Sequence, residues 1–443
     1  LPNSSFEFRS FNSIKSITSS IQSTVNTNSP RPQPTMSPSA VKAQDVNLTA
    51  AAVERKEVAA EQTPAVAQLD ASKLTYTYTK NPREVPDEAV ANAGNETIAT
   101  DHMVLANWSA TKGWSAPELK PYGPLSLMPT ASCLHYATEC FEGLKVFRGY
   151  DGGLRVFRPD RNCARMNMSA GRISLPTFPP AELEKLILAL LEVDGPRWLP
   201  RDKPGNFLYL RPTLIGTQSQ LGVQAPKEAM LYIIVTYMPR MDSPPGGMRL
   251  HTSPEDMVRA WVGGFGYAKV GANYGPSLLA TADARRRGYH QILWLYGANG
   301  ECTEAGASNF FVLWKRKDGK TELITAPLDD KLILDGVTRR SAVELARKRL
   351  AGEIIVTERK YTIDELLEAD AEGRILESFA AGTAYFICPV SRIHHRGKDI
   401  DIPMGPEGKA GEITTKIKNW IGDIMYGNVA HEWGVVVNEK AQQ

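Results

Sequence analysis

One lysine set among glycines is the residue in this chain best suited to covalent chemistry. The stretch Phe265-Gly266-Tyr267-Ala268-Lys269-Val270-Gly271-Ala272-Asn273-Tyr274-Gly275-Pro276 follows Gly263 and Gly264. Glycine carries no Cβ, so other groups can lie close to its main chain. Lysine forms Schiff bases once burial or a nearby cation lowers its pKa and frees the lone pair. A lysine taken alone is more often an exposed loop residue. Here the flanks are apolar and aromatic, and Pro276 is placed to open a helix directly afterwards, so a reactive amine is the better reading.

Four other clusters can be read chemically. Gly336-Val337-Thr338-Arg339 begins a helical pattern, where free N–H groups and the helix dipole favour a phosphate; an ordinary cap is the alternative. Gly382-Thr383-Ala384, after Ala380-Ala381, offers a second backbone-plus-hydroxyl cradle. Glu304 lies among small residues in Glu301-Cys302-Thr303-Glu304-Ala305-Gly306-Ala307-Ser308-Asn309, where a flat ring can approach it; a solvated loop acid is the alternative. Arg165 is either an anion ligand or a surface ion-pair former.

These groups need a scaffold, and the chain of 443 residues has room for two domains and a tail. Hydrophobic residues make up 42% and charged residues 23%, enough for a sizeable core. The formal charge of +2 argues against nucleic acid as a partner, and no apolar run is long enough to span a bilayer. Cys133, Cys140, Cys163, Cys302 and Cys388 are scattered and odd in number, which fits a reducing compartment and gives neither a disulfide framework nor a metal site.

Residues 1–72 read as a disordered tail. Within it Leu1 to Thr35 is rich in Ser, Asn and Pro, with Glu7 its only acid, and resembles a mitochondrial transit segment; a plain tail, or sequence upstream of a start at Met36, are the alternatives. A smaller N-terminal α/β domain is expected over 73–237. It has an edge strand at Leu74–Tyr78, a hairpin of Leu144–Arg148 with Leu154–Phe157, helices opening at Pro159 and Pro180, and a buried strand at Leu231–Tyr237. Proline and glycine between Met238 and Gly247 mark an interdomain loop over 238–248. A larger C-terminal domain over 249–443 should hold helices at Pro276–Arg287 and Thr338–Leu350, and strands at Gln291–Tyr296 and Asn309–Trp314. It should also hold a capping box at Thr362 and Glu365 and a last amphipathic helix from Ile413 to Met425.

The segments Gly271-Ala272-Asn273-Tyr274-Gly275-Pro276, Gln291-Ile292-Leu293-Trp294-Leu295-Tyr296-Gly297, Thr303-Glu304-Ala305-Gly306 and Phe141-Glu142-Gly143-Leu144-Lys145 closely resemble the branched-chain amino-acid aminotransferases, in order and with matching gaps from about Leu74 onward. That resemblance implies the two-domain, mixed α/β architecture of fold-type IV enzymes, with pyridoxal 5'-phosphate as cofactor and a homodimer as the assembly. It implies that Lys269 anchors the cofactor and shuttles the substrate Cα proton, that Glu304 faces the pyridine nitrogen, and that Tyr274 meets the ring hydroxyl. Arg165, Val337, Thr338 and Thr383 would hold the phosphate, with Arg259 near it. Tyr136, Phe141 and Tyr209 would wall an apolar pocket, Ala384 would contact the substrate carboxylate through its backbone, and Arg211 would accommodate the side chain of glutamate.

The implied reaction is reversible transamination of leucine, isoleucine and valine with 2-oxoglutarate, so the partners are small amino and 2-oxo acids. Other readings are a D-amino-acid aminotransferase or aminodeoxychorismate lyase of the same fold, or a binding protein without activity. A soluble intracellular location is expected, mitochondrial ahead of cytoplasmic. Two departures stand out. Ala307-Ser308-Asn309 replaces the Thr-Met-Asn of many relatives. Tyr385 replaces the first cysteine of the C-x-x-C found in vertebrate members, leaving Cys388 alone.

Overall fold

The computed structural model describes residues 66–87, 97–238, 243–384 and 386–439. The expected tail up to residue 65, part of the expected loop (239–242) and Tyr385 lie outside the described residues.

Among the described residues the strands form two sheets. The first is ten-stranded and runs in the order Thr75–Tyr76, Glu118–Pro121, Ile98–Ser109, Glu228–Tyr237, Phe207–Gly216, Leu144–Arg148, Leu154–Phe157 and Gly434–Val436, with Gly113–Trp114 and Glu139–Phe141 paired to its members. The second is nine-stranded: Glu301–Ala305, Gln291–Tyr296, Met248–Thr252, Phe386–His395, Ile375–Gly382, Ser308–Lys315, Thr321–Thr325 and Ile355–Glu358, with Lys398–Asp401 beside Phe386–His395. An extra pairing of Glu304 with Asn309 and Ala305 with Ser308 closes six of these strands into a ring.

The first sheet packs on two helices. Pro159–Arg172 and Pro180–Trp198 each start with proline, whose fixed φ suits a first helical turn. Leu183, Leu186, Ile187, Leu190 and Leu191 recur at helical spacing and are fully buried against the sheet residues Val104, Val146, Leu208 and Leu231. The second of these helices runs past Val193, through Gly195 and Pro196, because tertiary partners hold its end. Asp194 accepts from the His102 backbone N–H at 2.9 Å, and Trp198 Nε1 donates to Asp101 at 2.8 Å.

The second sheet is covered on both faces. Ile363–Ala371 covers one, and Val337–Arg349 with Glu412–Met425 covers the other, where Phe311 and Phe379 stack at 4.6 Å. The expected helix from Pro276 begins as a 3₁₀ turn, Gly275–Ser277, before Leu278–Arg286. It ends at Gly288, whose φ of 86° only glycine adopts cheaply. The capping box at Thr362 and Glu365 is formed in both directions.

Candidate active site

Lys269 is held at its main chain from two sides. Its N–H donates to Ser169 Oγ at 2.9 Å, on the helix Pro159–Arg172, and its carbonyl accepts from the Phe141 N–H at 3.1 Å. Its neighbours Ala268 and Val270 are buried in the core of the first sheet. Asn273 braces the loop from below, its Nδ2 donating to Phe265 O at 3.1 Å and Ala268 O at 2.8 Å. Gly266 is required here, since a Cβ would lie 2.4 Å from Leu332 O. The glycines therefore admit neighbouring main chain as well as leaving room for a ligand.

From this anchored backbone the side chain reaches toward two aromatic rings. Lys269 Nζ donates to Tyr274 Oη at 3.1 Å and stands 4.9 Å from the Phe141 ring centroid. Phe141 and Tyr274 rings lie 5.1 Å apart. Arg211 stands over Phe141 at 4.7 Å and donates through Nη2 to Tyr209 Oη at 2.9 Å, the two being alternate residues on one face of Phe207–Gly216. Arg211 Nε is buried with no hydrogen-bond partner, a donor left for something else. Tyr136 is engaged elsewhere: its hydroxyl accepts from the Gly222 N–H at 2.8 Å and its ring is partly exposed.

Glu304 is buried, at the end of the Glu301–Ala305 strand. A two-residue hairpin with Gly306 at φ 60° turns the chain back, setting Asn309 opposite Glu304. Glu304 Oε1 accepts from Asn309 Nδ2 at 3.1 Å and from the Leu334 N–H at 3.0 Å. Arg259 Nε lies 2.6 Å from Oε2, in an ion pair without an aligned hydrogen bond, while Arg259 Nη2 donates to Gly266 O at 3.0 Å and Leu332 O at 2.7 Å. Burial raises the carboxyl's pKa; Arg259, the Leu334 N–H and Lys269 oppose that rise. Arg259, expected near a phosphate, is thus placed against the carboxylate.

Arg165 is buried and gripped by a carboxylate that residue-by-residue reading passed over. Nε and Nη2 donate to the two oxygens of the fully buried Glu142 at 2.7 and 2.8 Å, and Nη1 donates to Asp335 O at 2.8 Å. Glu142 also accepts from Asn162 Nδ2 at 2.8 Å. Of the five guanidinium N–H groups, three are used and two remain. Asp335 directly precedes Gly336, the N-cap of Val337–Arg349, which has no side-chain cap, so the first-turn N–H groups are open to an anion. Val337, Thr338, Thr383 and Ala384 line one cavity of about 410 Å³, and Thr383 Oγ1 donates to Gly143 O at 3.3 Å. That cavity adjoins the helix start and does not include Lys269 or Glu304.

The residues present fit a flat, phosphorylated, basic-nitrogen ring. They supply a lysine amine, a buried carboxylate with a cationic neighbour, an uncapped helix start and an arginine with free donors. Glu142, Asn309 and Ser169 escaped assignment from the sequence. Glu142 and Asn309 were visible as polar residues inside strand-like runs; nothing in the sequence ties Ser169 to a lysine one hundred positions away.

Comparison with known proteins gives one answer. Residues 139–393 match the family model described as amino-transferase class IV. The chain is 45% identical over 371 residues to the mitochondrial branched-chain-amino-acid aminotransferase of Schizosaccharomyces pombe, covering 83% of this chain and 85% of that one. It is 44% identical over 378 residues to the cytosolic one of Saccharomyces cerevisiae, covering 84% and 99%. Among solved structures, the branched-chain aminotransferase of Thermoproteus uzoniensis with norvaline superposes with a TM-score of 0.59 at 25% identity, covering 77% of this chain and all of that one. The T.th. branched-chain amino acid aminotransferase complexed with N-(5'-phosphopyridoxyl)-L-glutamate gives 0.57 at 26% identity, covering 75% and 98%.

Proposed function

This chain belongs to the class IV aminotransferases, and from that premise we propose how its own residues divide the work of the reaction. It is a transaminase that exchanges the amino group of leucine, isoleucine and valine with 2-oxoglutarate, reversibly. The observation that carries the assignment of roles is a lysine amine held by a phenol hydroxyl, in a site that also holds a buried carboxylate opposed by an arginine.

Pyridoxal 5'-phosphate, when bound, supplies an electron sink for the pair left at the substrate Cα. Lys269 anchors it, and Lys269 Nζ takes and returns the Cα proton. Tyr274 Oη, already on Lys269 Nζ, orients that amine and would meet the ring hydroxyl of the bound cofactor. Glu304 would favour a proton on the ring nitrogen of the bound cofactor, and Arg259 opposes the rise that burial imposes on the Glu304 pKa. Arg165, with two N–H groups free, joins the open turn at Val337–Thr338 and the Thr383 backbone N–H in holding the phosphate, the Thr383 hydroxyl proton being given to Gly143 O. Phe141 and Tyr209 form the apolar wall, Tyr136 being turned to Gly222, and the Ala384 backbone receives the substrate carboxylate. The unpartnered Nε of Arg211 supports its part in receiving the second carboxylate of glutamate.

A division into 73–237 and 249–443 belongs to the same proposal, supported by the change of sheet between Glu228–Tyr237 and Met248–Thr252, with Gly434–Val436 crossing back to the first sheet. So does a homodimer, supported by the exposed apolar side chains Trp261, Val262, Leu278 and Leu279 flanking Lys269. No described helix is long and apolar enough to cross a membrane. The relatives include mitochondrial and cytosolic proteins; the acid-poor stretch before Thr35 supports the mitochondrial address, testable by fusing residues 1–72 to a fluorescent protein.

The deciding experiment is steady-state kinetics of the cofactor-loaded protein with each of the three amino acids and 2-oxoglutarate. Glutamate should appear in step with the branched-chain 2-oxo acid. Absence of that exchange from well-folded, loaded protein would overturn the assignment.

A further inference from the structure

Lys145 lies on the strand Leu144–Arg148 and is only 8% exposed, a burial lysine rarely tolerates without a partner. Its Nζ donates to Ala384 O at 2.8 Å and stands 3.9 Å from the centroid of Phe207. The bond joins the two sheets: Lys145 is in the first, and Ala384 is in the turn between Ile375–Gly382 and Phe386–His395 of the second. A parallel tie runs the other way, from Thr383 Oγ1 to Gly143 O at 3.3 Å. Both ties end on the turn, and the turn borders the cavity of about 410 Å³ described above. Two hydrogen bonds therefore hold the cavity-facing turn to the first sheet.

We propose that Lys145 is a positioning residue for transamination: by gripping the Ala384 carbonyl it fixes the Thr383–Ala384 turn in the orientation that receives the substrate carboxylate. The proposal rests on the reading of Ala384 given under the proposed function. A buried ammonium is a costly way to fill space, since an apolar side chain of similar length would pack over Phe207 without desolvating a charge. What the ammonium adds is a charge-assisted bond to a carbonyl. Burial pushes the Lys145 pKa down to about 8. Below that pH the grip is that of a cation; as pH rises through it the neutral amine holds the carbonyl more weakly. The titratable groups around it are Tyr209, its partner across the strand pair, and Tyr150, Lys418, Asp423 and Tyr426 on the walls of the same cavity.

The test uses holoenzyme and a carboxylate probe that undergoes no transamination, 4-methylvalerate, with its amide as control. In Lys145→Met the Kd for 4-methylvalerate and the KM for leucine and for 2-oxoglutarate should each rise roughly tenfold, the worth of one hydrogen bond to a charged group. The kcat should change far less, because the reacting atoms are untouched, and Lys145→Arg should recover most of the affinity. In the parent, Kd should rise above a pH of about 8, and the methionine variant should lack that rise. The pH series on the parent stands even if a variant folds poorly. A parent that binds acid and amide alike removes the carboxylate reading and this proposal with it. A parent that prefers the acid, beside a methionine variant with unchanged Kd and pH dependence, removes the role of Lys145 alone.

Discussion

Arg259 Nε and Glu304 Oε2 lie 2.6 Å apart, the carboxylate buried and the arginine side chain largely covered. Burial raises the Glu304 pKa and the arginine is the largest influence opposing it. Replacing Arg259 by Met should therefore let the carboxylate protonate at higher pH. The acid limb of kcat/KM against pH should move upward while the alkaline limb stays. Glu304→Gln, nearly isosteric, should keep the fold and lose roughly 10²-fold or more in kcat, as for removal of one electrostatic stabiliser. Parent-like profiles in both variants would detach this pair from the chemistry.

Glu142 should matter as much as the arginine it holds. Glu142→Gln leaves the buried Arg165 without its bidentate counter-charge, a change that typically costs about 3–5 kcal/mol of stability. The same change frees the guanidinium to swing away from Asp335 and the helix start. The expected result is a lower melting temperature for the apoprotein and at least roughly tenfold weaker pyridoxal phosphate binding by fluorescence titration. Unchanged cofactor affinity would show that Arg165 needs no such support.

For Lys269, the covalent anchor can be read directly. Borohydride reduction of the yellow holoprotein should abolish its absorbance above about 400 nm and leave a label on the peptide containing Lys269. Lys269→Ala should bind cofactor without a covalent link and lose nearly all turnover. A label on another lysine would reassign the site.

The thiols should be quiet. Burial raises the pKa of Cys133, Cys140, Cys163, Cys302 and Cys388, and all but Cys133 are buried. Mild peroxide should leave activity almost unchanged and form no disulfide at Cys388. Activity against dose, with mass mapping of the cysteines, checks this; a thiol-reversible loss tracking a Cys388 disulfide would contradict it.

What could be read from the sequence was local chemistry. Lys269 and Glu304 stood out by residue type and small neighbours, and Thr362 with Glu365 announced a helix start that is formed as expected. The strand Ile98–Ser109 did not stand out, because Asp101 and His102 interrupt its apolar run. Both are buried, and both are satisfied from the helix Pro180–Trp198: His102 by Asp194 at 2.6 Å and Asp101 by Trp198 and Arg197. Polarity that looks like a loop in one dimension becomes core in three once its partner arrives from more than ninety positions away. The pairing of Arg259 with Glu304 was hidden for the same reason: it is set by the ring of strands that carries Glu304.

The strand Gly434–Val436 pairs with Leu154–Phe157, so the first sheet is finished only after the whole second sheet has been made. Arg148, fully buried, takes the carboxylate of Glu439 at 3.0 and 2.8 Å from 291 positions further on. At roughly 5–20 residues per second, a ribosome keeps that arginine without its counter-ion, and that sheet edge open, for on the order of tens of seconds. A nascent chain of this protein thus offers an unpaired strand to its neighbours for much of its synthesis, and one stopped short of residue 434 never withdraws the offer. Residues 434–439 act as a seal on translation: only a chain read through to them can cover Leu154–Phe157 and neutralise Arg148.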